Sequence, residues 1–244
     1  MPPCGTRACA FGGVRGDRPG IPALRHAAGG CAMTAPLSSA PQARRVVFQA
    51  ASVLLDYPGT ELWERRGLVE EAVGGLPRGE ARDRLGRFLG HLGATGATEL
   101  AAHYVETFDL RRRNCLYLTY YTDGDTRRRG PALAELKARY RAAGWAPPDG
   151  GELHDYLPVV LEFAARCAPE DGAAILREHR AGLETLHMAL TGRGTPYADV
   201  VAAVRAELGA APAEAVRAAL RTARGGPPRE SVGLETYQIG ATRP

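Results

Sequence analysis

Apolar residues recur at helical spacing along most of this chain, and this pattern restricts the fold more than any other feature. Leu100, Tyr104 and Phe108, for example, stand four residues apart and therefore share one face of a helix. Similar faces recur from Gln42 to Thr222, with no alternation of strand and helix patterns. The sequence therefore predicts an all-α fold, a single bundle-like domain of about eight or nine helices.

Glycine and proline residues divide the pattern into separate helices. Pro77 and Pro196 are expected to open two of them, because proline is tolerated in a first helical turn. One long helix is expected over Glu170–Gly192, since the apolar pattern continues through it. Asp155 has the short polar side chain of a helix cap, and Pro158 fits the first turn that would follow it.

The two ends of the chain lack the helical pattern. Residues 1–40 are rich in Gly, Pro, Ala and Ser, a composition typical of disorder, and residues 224–244 are expected to form a flexible tail. Met33 precedes the first helical pattern, so we expect it to be the biological start and residues 1–32 to come from a misassigned initiation codon. The expected helical domain covers residues 41–223.

The net charge of +4 gives little support to a nucleic-acid partner. Four arginines and one acid, Asp17, precede Met33, which leaves the rest of the chain nearly neutral, whereas nucleic-acid binding needs clustered positive charge. No apolar run approaches the roughly 20 residues that cross a bilayer, and no secretory signal is visible. We therefore expect a cytoplasmic protein that does not insert into a membrane.

Motifs of common catalytic chemistry are absent from the sequence. No H-E-x-x-H, G-x-S-x-G, P-loop or G-x-G-x-x-G occurs, and the five cysteines include no C-x-x-C pair. Asp123 and Asp125 resemble a divalent-metal motif, but such a site needs about six oxygen ligands, and no further acid follows before Glu135. A turn in which both aspartates cap backbone N–H groups and pair with nearby arginines is favoured. No metal and no cofactor are expected.

The segment from Leu116 to Tyr121 reads Leu-Tyr-Leu-Thr-Tyr-Tyr and has the composition of a β-strand. Because the rest of the chain offers no partner strand, we expect an extended or irregular segment that crosses the bundle. Tyrosines combine an apolar ring with a polar tip, which suits a recognition surface and a half-buried packing position equally well. Composition alone does not separate these two roles.

Three spaced motifs in this part of the chain resemble one family. They are Tyr104-x-x-x-Phe108-Asp109, Leu116-Tyr117-Leu118-Thr119-Tyr120 with Gly124-Asp125-Thr126-Arg127, and Glu152-x-x-Asp155-x-Leu157-Pro158. In this order they resemble the NarJ assembly chaperones of respiratory nitrate reductase, which belong to the all-helical maturation chaperones of molybdoenzymes. The likeness extends from about Val46 to Leu208.

The third motif departs from the family pattern at two positions. The wider group carries E-P-x-D-H, and nitrate reductase chaperones often carry E-L-P-D-H-L-P. This chain has Glu152-Leu153-His154-Asp155-Tyr156-Leu157-Pro158. Tyr156 therefore replaces the signature histidine and His154 replaces the usual proline, so a role of that histidine, nucleotide binding included, does not carry over. Substitution by His154, helix capping by Glu152 and Asp155, an inter-helix hinge and a functional role all stay open.

The resemblance implies a chaperone without catalytic activity. Its partner would be the immature catalytic α subunit of nitrate reductase, bound chiefly through the N-terminal segment of that subunit. The chaperone would keep the subunit open for molybdenum cofactor and iron–sulfur insertion and delay its docking onto the membrane anchor. Another molybdoenzyme as client, a metal-dependent enzyme that uses Asp123 and Asp125, and a homodimer are the alternatives. The expected client-binding residues are Tyr104, Phe108, Tyr117, Tyr120, Tyr121, Asp123, Asp125 and Arg127.

Overall fold

Eleven α-helices form the part of the chain that the computed structural model describes, residues 39–147, 152–167 and 169–228. They are α1 (Ala40–Leu55), α2 (Thr60–Gly74), α3 (Glu80–Ala94), α4 (Ala97–Tyr104), α5 (Leu118–Asp123), α6 (Arg129–Ala142), α7 (Leu157–Arg166), α8 (Pro169–Glu178), α9 (Arg180–Gly192), α10 (Tyr197–Glu207) and α11 (Ala213–Gly225). A π-helical turn, Val105–Asp109, continues α4, and a 3₁₀ turn, Arg112–Asn114, precedes α5. The expected all-α fold is confirmed.

Helix α1 lies at the centre of the packing. Ser39 caps its first turn by accepting a hydrogen bond from the backbone N–H of Gln42 (3.4 Å), and Pro41 fits that turn because its missing N–H needs no partner there. Val47 and Phe48 are fully buried where α1 packs against α7 and α10. Because these helices turn their own apolar stripes toward α1, the buried residues form one continuous core.

The helix expected over Glu170–Gly192 is two helices, α8 and α9, and this expectation was wrong. The break is at His179, whose backbone (φ −93°, ψ 19°) leaves the helical range and whose ring Nδ1 lies 2.9 Å from the carbonyl of Ile175. Helix α8 packs on α7, while α9 packs against α10 and α11. Packing on two sides therefore outweighs the continuous apolar pattern.

The other additional helix is α5, which contains most of the tyrosine run. The expectation of an extended segment is wrong for Leu118–Asp123. Only Tyr117 behaves as a strand residue, in a single antiparallel bridge with Tyr156. The helix forms against its β propensity because its first N–H groups are satisfied by a distant residue: Leu118 N donates to the carbonyl of Asp155 at 2.9 Å.

Two helix starts differ from expectation. Helix α3 begins at Glu80 rather than at Pro77, after a loop held by buried Leu76, whose carbonyl accepts a hydrogen bond from the Arg82 guanidinium at 2.9 Å. Helix α7 follows Tyr156 and has no side-chain cap, so Asp155 does not cap it. The Asp155 carboxylate is directed at α5 instead.

The described ranges contain no helix that is both long and apolar enough to cross a membrane. Helix α1 begins at Ala40 and α11 ends at Gly225, close to the expected limits of the helical domain. The proposed start at Met33 and nearly all of the two expected flexible ends lie outside the described residues.

Candidate functional site

A fully buried carboxylate, Asp155, joins the tyrosine run to the third motif. Its Oδ2 atom accepts hydrogen bonds from the backbone N–H of Thr119 (3.1 Å) and from the Thr119 hydroxyl (2.5 Å). Two backbone hydrogen bonds also join these segments, because Leu118 N donates to the carbonyl of Asp155 at 2.9 Å and Leu157 N donates to the carbonyl of Leu116 at 2.8 Å. Asp155 is thus an N-cap supplied to α5 from another segment.

Arg129, the first residue of α6, completes this arrangement. Its Nη2 lies 3.3 Å from Asp155 Oδ2, and its Nε donates to the Thr119 hydroxyl at 3.2 Å. The guanidinium also lies 5.4 Å from the centre of the Tyr117 ring, a cation–π distance. Asp155 Oδ1 is buried and has no hydrogen-bond partner among the described residues. One oxygen of the carboxylate therefore carries all three hydrogen bonds.

Tyr156, at the position of the signature histidine, links three helices. Its hydroxyl donates to Asp56 Oδ1 (3.2 Å) at the end of α1 and lies 3.0 Å from the hydroxyl of Tyr104 in α4. Tyr104 in turn donates to the carbonyl of Leu55 at 3.2 Å. Burial raises the pKa of Tyr156, so the hydroxyl keeps its proton and acts as a donor. This residue anchors the start of α7 rather than supplying a titratable imidazole.

His154, the other departure from the family pattern, belongs to an aromatic cluster. Tyr140 donates its hydroxyl proton to the His154 carbonyl (2.8 Å), and the two rings are inclined by 25° with centres 6.1 Å apart. Burial, followed by the charges of Lys137 and Arg141, lowers the pKa of His154. The imidazole is therefore neutral at pH 7. Tyr140 extends the cluster to Phe163 and Trp145.

The expected client-binding residues fall into two groups by exposure. Four are buried, each less than a tenth exposed: Tyr104, Phe108, Tyr120 and Tyr121. The other four reach the surface, with Tyr117 and Asp123 half-buried and Asp125 and Arg127 exposed. Client binding by any of the eight stays a prediction.

Among the buried residues, Tyr121 has a clear structural role. Its hydroxyl donates to the backbone carbonyls of Cys115 (2.8 Å) and Arg113 (3.1 Å), and its ring packs on Gly182 of α9. A side chain at position 182 would crowd that ring, since a Cβ there would lie 3.1 Å from Tyr121 carbons. Tyr121 thereby fixes the loop before α5 to α9.

Asp123 and Asp125 flank a tight turn rather than converge on one point. Gly124 between them has φ 62°, a conformation that favours glycine. Asp125 lies 3.8 Å from both Arg129 and Arg112, so the expected pairing with arginines is present for this residue. In the described ranges, no three His, Cys, Asp or Glu side chains are placed to hold a metal ion.

An exposed surface next to Tyr156 was not recognised from the sequence. It consists of five residues, which we name the Tyr57 face: Asp56, Tyr57, Tyr117, Glu152 and Leu153. Tyr57 is 53% exposed with its ring edge against Tyr104 (5.5 Å), and Leu153 is 39% exposed. Tyr117 donates its hydroxyl proton to Glu152 at 2.9 Å. The face thus combines exposed apolar groups with two carboxylates. The sequence motifs include Tyr117, Glu152 and Leu153, whereas Asp56 and Tyr57 were missed, and their one signal was an Asp-Tyr pair directly after an apolar helix.

Comparison with known proteins places these residues in a family context. The family model described as nitrate reductase delta subunit matches residues 76–203. The nitrate reductase-like protein NarX of Mycobacterium tuberculosis is 46% identical over 159 residues, which cover 65% of this chain and 24% of NarX. The probable nitrate reductase molybdenum cofactor assembly chaperone NarJ of Bacillus subtilis is 31% identical over 68% of this chain and 89% of its own length. The NarJ chaperone of Escherichia coli is 33% identical, over 60% and 63% respectively. The chain thus spans about a quarter of NarX and most of the B. subtilis protein.

Proposed function

The chain belongs to the nitrate reductase delta subunit family, which includes the NarJ chaperones, and from this premise we propose that it is a molybdenum cofactor assembly chaperone for a nitrate reductase. The observation that carries the proposal is the likeness to two NarJ chaperones over 60% or more of this chain. In this proposal, the protein is non-catalytic and acts in the cytoplasm. It binds the immature catalytic α subunit, keeps it open for insertion of the molybdenum cofactor and an iron–sulfur cluster, and delays membrane docking.

We further propose that the N-terminal segment of the client docks on the Tyr57 face. An amphipathic helix binds through apolar anchors in the centre and polar contacts at the rim. Tyr57 and Leu153 offer exposed apolar groups, while Asp56 and Glu152 offer negative charge beside them. These groups fit a segment that has an apolar stripe and basic residues next to it.

The buried residues of the site act in this proposal by holding the face in shape. Asp155 and Arg129 fix Tyr117 against the third motif, and Tyr156 fixes the end of α1 beneath Tyr57. A preorganised surface loses less conformational entropy when a client binds. Asp123, Asp125 and Arg127 lie beyond this face, and we propose them as outer contacts for the same client.

The first experiment identifies the client. The full chain, tagged and expressed in nitrate-grown cells of its own host, should co-purify with the α subunit of a nitrate reductase. Mass spectrometry of the captured proteins distinguishes that subunit from any other molybdoenzyme of the cell. Recovery of a different molybdoenzyme would assign the protein to another client, and recovery of none would contradict the chaperone role.

The second experiment locates the binding surface by calorimetry with a peptide of the client N-terminus. The double variant Tyr57→Ser/Leu153→Ser should bind at least tenfold more weakly, or about 1.4 kcal/mol. Leu68→Ser is the matched control, because Leu68 is 68% exposed on α2 and lies outside the face. Asp123→Asn/Asp125→Asn tests the outer contacts. Equal affinities of the double variant and the control would remove the Tyr57 face from the proposal.

A further inference from the structure

Two neighbouring arginine-rich segments meet a third segment that is distant in the sequence. Arg113 donates to a backbone carbonyl in the last turn of α11 (3.4 Å), and Arg112 lies 3.8 Å from Asp125. Gly124 packs so closely on the backbone of Pro228 that a side chain at position 124 would collide with it. The neighbouring segments are therefore 109–113, 123–129 and 221–228.

These segments concentrate positive charge that is not apparent from the composition. Together they contain eight arginines and three aspartates. Arg129 is turned inward to Asp155, and Asp125 is shared at 3.8 Å between Arg112 and Arg129. The other seven arginines are exposed, and we name five of them the arginine surface: Arg111, Arg112, Arg113, Arg128 and Arg224.

An exposed leucine lies beside these arginines. Leu110 is 72% exposed and directly precedes Arg111. The chain around it is firmly held, because Leu110 N donates to the carbonyl of Val105 (3.0 Å) and the Asn114 side chain donates to the carbonyl of Thr107 (2.7 Å). The structure therefore presents an apolar side chain at the surface among guanidinium groups.

We propose that the arginine surface and Leu110 bind the surface of an anionic lipid bilayer. Guanidinium groups attract lipid phosphates and carry positive charge toward the negative leaflet, and a leucine between them enters the headgroup layer. The exposed Leu110 favours a bilayer over an acidic peptide or a nucleic acid, because a bilayer places an apolar layer directly beneath its anionic headgroups. This binding needs no spanning helix and goes beyond the chaperone function, since it does not depend on the client.

Vesicle sedimentation with the full chain tests the proposal. We expect binding to vesicles of phosphatidylcholine and phosphatidylglycerol in a two-to-one ratio and none to phosphatidylcholine alone. Binding should disappear at high salt, because the screening length falls from about 10 Å at 0.1 M to about 3 Å at 1 M. Arg111→Gln/Arg112→Gln/Arg128→Gln should weaken partitioning on the order of a hundredfold, and Leu110→Ser roughly tenfold.

The control variant changes the net charge equally but elsewhere. Arg78, Arg141 and Arg177 are exposed and lie outside the three segments, so Arg78→Gln/Arg141→Gln/Arg177→Gln should partition within about twofold of the parent. An equal loss in both triple variants, or no binding to the anionic vesicles, would overturn the proposal. So would release from the vesicles by polyglutamate or a DNA duplex at matched charge, which would assign the surface to another polyanion. The client pull-down reports separately on the chaperone function.

Discussion

Two buried carboxylates in this protein are held in different ways. Glu184 of α9 is satisfied at both oxygens, by Arg180 on the same helix (2.7 Å) and by Arg205 of α10 (3.0 and 2.6 Å). Asp155 receives three hydrogen bonds at Oδ2, while Oδ1 is buried without a partner. A buried acceptor left unsatisfied costs about 1–3 kcal/mol. We therefore call Glu184 the brace between α9 and α10, whereas Asp155 of the candidate site keeps one oxygen without a partner among the described residues.

The arginines around Glu184 also determine the direction in which its pKa shifts. Burial alone would raise the pKa of Glu184, but the hydrogen bonds and charges of Arg205 and Arg180 lower it. The same cluster contains His187, whose ring Nδ1 lies 3.0 Å from Arg205 Nη1. Burial and then the charge of Arg205 lower the pKa of His187 to about 4. Both groups therefore favour the folded state at neutral pH more than in acid.

The largest effect is expected at the brace. Glu184→Ala leaves Arg180 buried without its partner, so the free energy of unfolding should fall by about 3–5 kcal/mol, as measured by urea denaturation. Glu178→Ala removes an exposed partner of Arg139 and should cost less than about 1 kcal/mol. Where Glu184→Ala is still folded, its affinity for the client peptide should match the parent. Reduced affinity in the folded variant would place α9 in the site.

A smaller loss of stability, but with a loss of binding, is expected at Asp155. Asp155→Asn keeps the shape and removes the charge that Arg129 contacts, so the free energy of unfolding should fall by roughly 1.5–3 kcal/mol. Client peptide affinity should fall roughly fivefold, or about 1 kcal/mol, because Tyr117 loses its support.

A double-mutant cycle distinguishes loss of the Arg129–Asp155 ion pair from a general loss of stability. Arg129→Gln and Asp155→Asn should not add, because each removes the same ion pair. Additive losses would mean that Asp155 acts through Thr119 alone.

The smallest effect is expected on the pH dependence of the folding stability. Unfolded His187 takes up a proton below about pH 6.5, whereas the folded residue does so only near pH 4. Unfolding therefore binds a proton between these values, and stability falls as the pH is lowered through this window. His187→Gln should reduce that fall by about 1 kcal/mol, since the half-buried ring is partly screened by solvent. Thermal unfolding of both proteins from pH 7 to 4 measures it, and parallel curves would exclude His187 as the cause.

The local pattern of apolar residues predicts most of the helices, but it fails where a contact with a distant segment determines the structure. Between Gln42 and Thr222, where the sequence shows helical spacing, most of the described chain is helical. The break at His179 has no glycine or proline to announce it, and it follows from packing on two different neighbours. Helix α5 forms from residues with β propensity because Asp155 caps it across 36 positions.

The sequence motifs name several residues of the candidate site, but they miss Asp56 and Tyr57 and do not show which residues contact one another. The motif singles out Glu152 and Asp155, yet the capping of α5 rather than α7 depends on tertiary contact. The arginine triplets at 111–113 and 127–129 are visible in the sequence, but their meeting with α11 is not. A composition averaged over the chain also hides the local excess of charge that this meeting creates.

Because Asp155 caps α5, the folding of this helix has to wait until Asp155 has been synthesised. A helix of six residues is too short to be stable alone, and its cap is translated 36 residues after Thr119. Until Asp155 has left the ribosome, the tyrosine segment has no partner for its first N–H groups. A nascent chain that ends before Asp155 therefore cannot form α5 as described, and the Tyr57 face is completed only once the third motif has been made.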